Sequence, residues 1–411
     1  MLFRSEVLRW APRAAAASWV LAVAACGGGG GGQTAAAPEP AAPPVAAAPD
    51  AAGVQVRELD TTLDRPWGLA FLPDGRLLVT ERGGGLRLLS ASGVALQDIA
   101  GTPAVDTRGQ GGLLGIALDP DFARNRRVYL SFSEPDAQQP ALTGTAVARA
   151  VWPEGAQRLQ EVAVIWRQQP KVDATSHYGS RLVFDGSGAL FVTTGDRNRA
   201  DQRALVQDPG AGPGKIVRIT TEGQAAAGNP GWDDPDAIPG LWSLGHRNAQ
   251  GAALHPGTGE LWISEHGPDG GDEINRVLAG RNYGWPRVSR GYEYGTTEPA
   301  GAASLPAMEE PVWSWEREDG APWTEGPKSS IAPAGIAFYT AAAVPQWRGS
   351  LFVTSLAGRS LWRLTLEGNR VVGQERLLAS RGERLRDVAQ GPDGALYLLT
   401  DSGKLLRYGA P

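Results

Sequence analysis

Only four histidines occur in this 411-residue chain, which narrows where proton transfer near neutral pH could take place. His177, in Ser176-His177-Tyr178-Gly179, stands just before an apolar run that reads as a strand. An imidazole on such a loop can act as a general base, and it can equally be a structural histidine. Arg247 and Asn248, in Gly245-His246-Arg247-Asn248, set a guanidinium beside an amide. The pair can stabilise negative charge growing on an oxygen, or Arg247 can simply pair with a nearby carboxylate. Gln110 lies in Gly109-Gln110-Gly111-Gly112, where glycines permit close backbone approach and the amide offers both a donor and an acceptor; a flexible turn has the same composition.

The densest polar stretch covers residues 264–273, Ser264-Glu265-His266-Gly267-Pro268-Asp269-Gly270-Gly271-Asp272-Glu273, followed by Asn282-Tyr283-Gly284-Trp285-Pro286. The carbonyls of Gly267 and Pro268, with Asp269, Asp272 and Glu273 nearby, make an oxygen-rich set that suits calcium better than zinc. The acidic spacing is not that of an EF-hand loop, and a solvated turn is the competing explanation.

What must position these loops is a repeat. A short apolar strand, a turn of the Pro-Asp-Gly kind and a second strand run through residues 67–80, around Asp74-Gly75. The same grammar returns at residues 114–132, 181–194, 251–264, 335–354 and 388–400, giving six copies. Fourth strands are expected at residues 86–89, 215–219, 360–366 and 404–408. A sheet this small cannot bury both faces alone, so the copies must stack, and radial closure removes their edges. The expectation is an all-β, six-bladed β-propeller of four-stranded antiparallel blades over residues 54–411, with ligand sites on the loops at one end of its channel. Two stacked sandwiches are the alternative, although they would not require one unit at recurrent spacing.

Composition adds limits. Lys and Arg number 39 against 44 Asp and Glu, with no basic stripe, which disfavours nucleic acid as a partner. The 14 tryptophans, several in Gly-rich polar surroundings such as Trp242, Trp285 and Trp323, read as flat aromatic walls as well as core. Arg4, Arg9 and Arg13 precede a short apolar stretch, and Val23-Ala24-Ala25-Cys26-Gly27 is similar to a bacterial lipobox. Residues 1–26 are therefore expected to be a lipoprotein-type signal peptide ending at Cys26, the single cysteine, with an incidental cysteine in a cleaved signal as the plainer reading. Residues 27–53, rich in Gly, Ala and Pro, would be a flexible tether holding the domain in an exported, periplasmic compartment, joined to the membrane through the lipid only.

Taken in order, the loops resemble those of the pyrroloquinoline-quinone-dependent soluble sugar dehydrogenases, the glucose/sorbosone or aldose sugar dehydrogenase family. The resemblance spans residues 54–408 and rests on Gly109-Gln110-Gly111-Gly112-Leu113-Leu114-Gly115, Gly245-His246-Arg247-Asn248, Glu265-His266-Gly267-Pro268, Gly271-Asp272-Glu273-Ile274-Asn275, Asn282-Tyr283-Gly284-Trp285-Pro286 and Arg384-Leu385-Arg386-Asp387. It implies oxidation of an aldose at its C1 hydroxyl to the lactone, with pyrroloquinoline quinone (PQQ) and Ca2+ as cofactors and an electron acceptor the sequence does not name. In that pattern His177 matches the base and Arg247 shares the charge at the quinone oxygen. Gln110, Arg247, Asn248, Tyr294, the run Ser355-Leu356-Ala357 and the run Arg384-Leu385-Arg386 match cofactor contacts. Gly267, Pro268, Glu273 and Tyr283 match calcium positions.

Two positions depart from the glucose-specific branch and favour the aldose branch. Ser176 replaces an aspartate that orients the base, so that role is vacant or passes to another group such as Asp173, and Ala357 replaces a cofactor-binding lysine, so cofactor affinity is lowered or is met by Arg359. Two other functions stay in contention: a calcium-dependent sugar lactonase, which would want several carboxylates on the channel axis, and a binding propeller without catalysis.

Overall fold

Each copy of the repeat becomes the inner half of one sheet. The computed structural model describes residues 53–315 and 330–411; the signal segment, Cys26, the tether as far as residue 52 and Trp323 lie outside the described residues. At Asp74-Gly75 the turn depends on glycine, because Gly75 has φ +86°, and Gly394 repeats the device at φ +78°. From these turns the strands build six sheets around a central channel.

Blade 1 comprises Pro66–Phe71, Leu77–Glu81, Leu86–Leu89 and Ala95–Asp98. Blade 2 comprises Leu113–Leu118, Arg127–Pro135, Thr143–Val151 and Gln160–Arg167. Blade 3 has Leu182–Phe184, Leu190–Thr193, Lys215–Ile219 and Leu241–Leu244, and Arg281–Asn282 adds a fifth, parallel strand. Blade 4 has Ala249–Leu254, Leu261–Glu265, Asp272–Val277 and Trp313–Trp315; blade 5 has Pro333–Phe338, Leu351–Ser355, Ser360–Glu367 and Arg370–Leu377. Blade 6 takes Leu385–Gln390, Leu396–Thr400 and Leu405–Gly409, and Gln55–Glu58 from the start of the domain completes it. The strands expected to be fourth at residues 86–89, 215–219, 360–366 and 404–408 are third strands. The outer strands escaped notice because, facing solvent, they lack a continuous apolar pattern: Gln160–Arg167 is mostly exposed or half-buried.

Neighbouring blades are joined by one repeated hydrogen-bond device. A hydroxyl on the second strand accepts from a backbone N–H at the bulged start of its own first strand and donates to a carbonyl of the next blade. Ser131 accepts from Gly115 N at 2.8 Å and donates to Ser180 O at 2.6 Å. Thr80 links blade 1 to Leu114 O, Thr193 links blade 3 to Ala249 O at 2.9 Å, and Ser264 links blade 4 to Ala334 O at 2.6 Å. The joints are tight enough that a Cβ on Gly115 or Gly251 would strike the neighbouring blade's backbone oxygen. Large side chains such as Trp262, Trp315 and Trp362 fill the space between blades 4 and 5, as the tryptophan-rich composition anticipates.

The channel is plugged by a side chain. Arg181, on the loop leading into blade 3, pairs with Asp387 of blade 6 at 2.8 Å, donates to Gln250 O of blade 4 and lies 4.2 Å from the ring centroid of Trp67 in blade 1. Asp387 also accepts from Leu69 N at 3.1 Å, tying blade 6 to blade 1. Both charges are nearly buried, so removing one partner strands the other. Arg181→Met should lower unfolding free energy in urea by about 3 kcal/mol, and Arg181→Met with Asp387→Asn should recover most of the loss.

Candidate active site

Blade topology decides where the chemistry gathers. In an antiparallel blade, the loop leading into the first strand and the loop leaving the second open on the same rim. Gln110, His177, Arg247 and Arg384 lie on loops of the first kind; Arg82, Asp196, His266, Leu356 and Asp401 lie on loops of the second kind. The rim encloses a cavity of about 340 Å³ whose wall includes Gln110, His177, Tyr294, Leu356, Arg384 and Arg386.

His177 is 4 % exposed and is held from both ends. Its backbone N donates to Gln110 Oε1 at 3.0 Å, and its φ of +51° lies in the left-handed region that a non-glycine residue occupies only under constraint. Its Nδ1 lies 2.6 Å from Asp196 Oδ1. Asp196 in turn accepts from Trp285 Nε1 at 2.9 Å and from Asn198 N at 2.8 Å. Although burial alone would raise it, interaction with His177 holds the Asp196 carboxyl down at about 2, so it is an acceptor only. The imidazole proton therefore sits on Nδ1, and Nε2, with no protein partner among the described residues, is left to accept one. Burial pushes His177 below its ordinary value near 6.5; Asp196 opposes the shift, and Arg247 and Arg197 add to it.

The orienting carboxylate is thus Asp196, not Asp173. Asp173 is exposed, and only its carbonyl is engaged, accepting from Arg199. The approach is steric as well as electrostatic: Gly195 pairs with Asn248, and a Cβ there would strike the carbonyl of His177.

Arg247 is 3 % exposed and donates from Nη1 to Gly267 O at 2.6 Å and from Nη2 to the Tyr294 hydroxyl at 3.2 Å, while its backbone N donates to Glu265 Oε2 at 2.8 Å. Asn248 is fully buried, its Oδ1 accepting from Gly179 N at 3.1 Å. Among the described residues, Asn248 Nδ2 and Arg247 Nε are buried donors without a protein partner; Arg247 borders the small space beside the main cavity, whereas Asn248 lines neither. Across the cavity, Arg384 and Arg386 share Asp401, each with its Nε 2.9 Å from a carboxylate oxygen. This wall carries more positive than negative charge, as a polycarboxylate ligand requires.

Beside the main cavity lies a space of about 20 Å³, the scale of a single water or ion, walled by Glu265, Gly267, Pro268, Glu273 and Tyr283 among others. Glu265 and Glu273 are cross-strand neighbours, and the Asn275 amide donates to both, at 2.7 and 3.0 Å. Burial, and then Glu265, push the Glu273 carboxyl well above the usual carboxylate range. Two crowded buried carboxylates with carbonyls beside them fit a hard cation. Among the described residues, no group of three or more His, Cys, Asp or Glu side chains is arranged to hold a metal. Asp272 is committed elsewhere, accepting from Gly267 N, Ser330 Oγ and Ala332 N. The Tyr283 hydroxyl donates to Arg276 O and accepts from Leu278 N, so this residue meets the small space through its other atoms.

Other expected contacts are dispersed. Ser355 is buried and bonded to Ser360, Leu385 belongs to the core between blades 5 and 6, and Ala357 is exposed. Arg359 turns to Gly382 O, outside the cavity wall, so it brings no charge to the site. The glycines around Gln110 do not clear room for a ligand as the sequence implied. A Cβ on Gly109, Gly111 or Gly112 would strike the backbone oxygen of Thr175, Asp106 or Arg82 respectively. Asp196, Arg82, His266 and Asp401 received no role from the sequence motifs. All four follow the second strand of a blade, Arg82, His266 and Asp401 directly and Asp196 three residues on.

The fold and site define a six-bladed propeller with a carboxylate-held histidine under an arginine-rich wall at one rim. The Glucose / Sorbosone dehydrogenase family model matches residues 63–407. The chain is 41% identical over 361 residues to the aldose sugar dehydrogenase YliI of Escherichia coli, covering 87% of this chain and 93% of that protein. It superposes on a crystal structure of a glucose dehydrogenase with TM-score 0.80 at 45% identity, covering 87% of this chain and 100% of that one. For the PQQ-bound aldose sugar dehydrogenase of Streptomyces coelicolor the TM-score is 0.68 at 30% identity, covering 88% and 99%. The chain belongs to the glucose/sorbosone dehydrogenase family.

Nitrogen NMR of labelled histidine should find His177 titrating below the ordinary histidine value near 6.5. Asp196→Asn should move that titration lower still, since an amide no longer favours the imidazolium; an upward move would contradict the assigned pair.

Proposed function

We propose that the chain is an aldose sugar dehydrogenase that oxidises the sugar C1 hydroxyl to the lactone, using PQQ and calcium. The observation that carries this reading is the His177–Asp196 pair facing a cavity walled by Arg384 and Arg386, in a chain of this family. The relative from Streptomyces coelicolor supports the cofactor, since it is described as PQQ-bound.

When bound, the quinone supplies a two-electron acceptor for the hydride leaving C1. Gln110, Asn248, Tyr294, Arg384 and Arg386 would hold it, the arginines meeting its carboxylates. Gly267, Pro268 and Glu273 would hold calcium in the small adjoining space. His177 Nε2 takes the hydroxyl proton, and Asp196 stabilises the imidazolium as it forms. Arg247, fixed by Gly267 O and Tyr294, keeps a positive charge beside that space for oxygen charge that builds during reaction. Tyr294, 49 % exposed, stands at the rim where a sugar would enter.

The lactonase alternative needs carboxylates converging on the axis, and among the described residues the only carboxylate in the cavity wall, Asp401, is already shared by two arginines. The N-terminal sequence supports export and a lipid tether at Cys26, which would leave the propeller free in the periplasm.

Adding PQQ and calcium to the apo-protein should start dye reduction by aldoses. No turnover with any aldose, and no quinone absorbance after gel filtration, would end this reading. His177→Ala should cut turnover by about 10²–10⁴-fold while sparing quinone binding. Calcium should raise the melting temperature by about 3 °C over a chelated sample, and Glu273→Gln should abolish that rise.

A further inference from the structure

Arg82 lines the cavity yet has no role in the functional reading above. It directly follows the second strand of blade 1, and its guanidinium lies half-buried against the loop that carries Gln110. Nε donates to Gly111 O at 3.1 Å and Nη2 to Gly109 O, while Nη1 has no protein partner among the described residues. Among the described residues, no carboxylate forms an ion pair with it. Burial, and then the charges of Arg386 and Arg65, hold it below the ordinary arginine range, and Asp401 opposes them less. Asp401 is already shared by Arg384 and Arg386. The cavity wall therefore sets three guanidiniums against one carboxylate, and the third has an unused donor edge. A desolvated cation beside like charges is unfavourable unless a ligand brings an anion.

We infer that Arg82 is a ligand-binding residue whose free Nη1 edge takes a carboxylate oxygen of a carboxylate-bearing ligand, completing the wall with Arg384 and Arg386. The inference rests on the quinone reading insofar as PQQ is such a ligand; the carboxylate of a uronic-acid sugar offers the same chemistry. Arg82 also bears on the base at second hand. It clasps the carbonyls on either side of Gln110, and Gln110 Oε1 accepts from His177 N. Binding, rather than rate, is therefore the readout that isolates the charge.

Two variants separate charge from clasp: Arg82→Gln keeps a donor for the loop carbonyls without the charge, and Arg82→Lys keeps the charge. Equilibrium binding should be measured for PQQ with calcium and, by calorimetry in chelator, for pyridine-2,6-dicarboxylate. The ratio of kcat/KM for glucuronate to that for glucose adds a third arm. Arg82→Gln should weaken both ligands by about tenfold and Arg82→Lys by no more than about threefold, with the sugar ratio unchanged. If binding holds but Arg82→Gln lowers the glucuronate ratio about tenfold, the carboxylate received is the sugar's. If the wild type takes up no PQQ but binds the dicarboxylate through Arg82, the inference stands and the quinone reading falls. The inference is overturned if neither variant changes any of the three, if both weaken binding equally, or if the wild type binds neither probe.

Discussion

Ring closure is the constraint on which everything else depends. Each blade buries its faces against two neighbours, so an open ring would expose two apolar faces, and four residues from the start of the domain prevent it. Gln55–Glu58 pairs antiparallel with Leu405–Gly409, placing the outer strand of the last blade ahead of the first blade in sequence. The two ends of the propeller domain thus meet inside one sheet, and opening the ring means breaking backbone hydrogen bonds within a blade rather than merely parting two faces. Arg181 acts on the same problem from the axis, drawing blades 1, 3, 4 and 6 together through Trp67, Gln250 and Asp387.

The closed ring is also what allows so much polarity to be buried at one rim. His177, Asp196, Arg247, Asn248, Glu265 and Asp272 are all nearly inaccessible, and isolated groups of this kind would cost several kcal/mol each. They are tolerated because loops from different blades satisfy one another. Asp196 of blade 3 is met by Trp285 from the blade 4 insertion, and His177 by Gln110 from the loop ahead of blade 2. Among the described residues, donors left over at this rim, Asn248 Nδ2, Arg247 Nε and Arg197 Nε and Nη1, mark where the protein alone does not complete the network.

The fold was legible because the inner strands carry it. Asp74-Gly75 and its counterparts announce each hairpin, and burial on both faces writes at least three consecutive apolar residues into the second strand of each blade, as Leu77-Leu78-Val79 in Leu77–Glu81 and Val128-Tyr129-Leu130 in Arg127–Pro135. The outer strands were not legible, since Gln160–Arg167 and Gln55–Glu58 face water and obey no strict pattern. At the site, motifs with unusual composition stood out: His177, Arg247 and Gly267 lie in such runs. Asp196 did not, because an aspartate three residues beyond a strand looks like any turn. Its role arises from a 2.6 Å contact with a residue 19 positions away, brought close by Gly195 and the positive φ of His177. Sequence spacing pointed to Asp173, the nearer acid, and it is solvent that Asp173 faces.

The central claim is that a neutral, buried imidazole takes the hydroxyl proton as the C1–H bond breaks. The most direct measurement is the single-turnover rate of quinone reduction by an aldose carrying deuterium at C1, followed across pH. The account predicts that deuterium slows the reaction and that the rate falls in acid with an apparent pKa below the ordinary histidine value near 6.5, as His177 becomes charged. A rate that ignores pH through that range, or rises as acid is added, would contradict it.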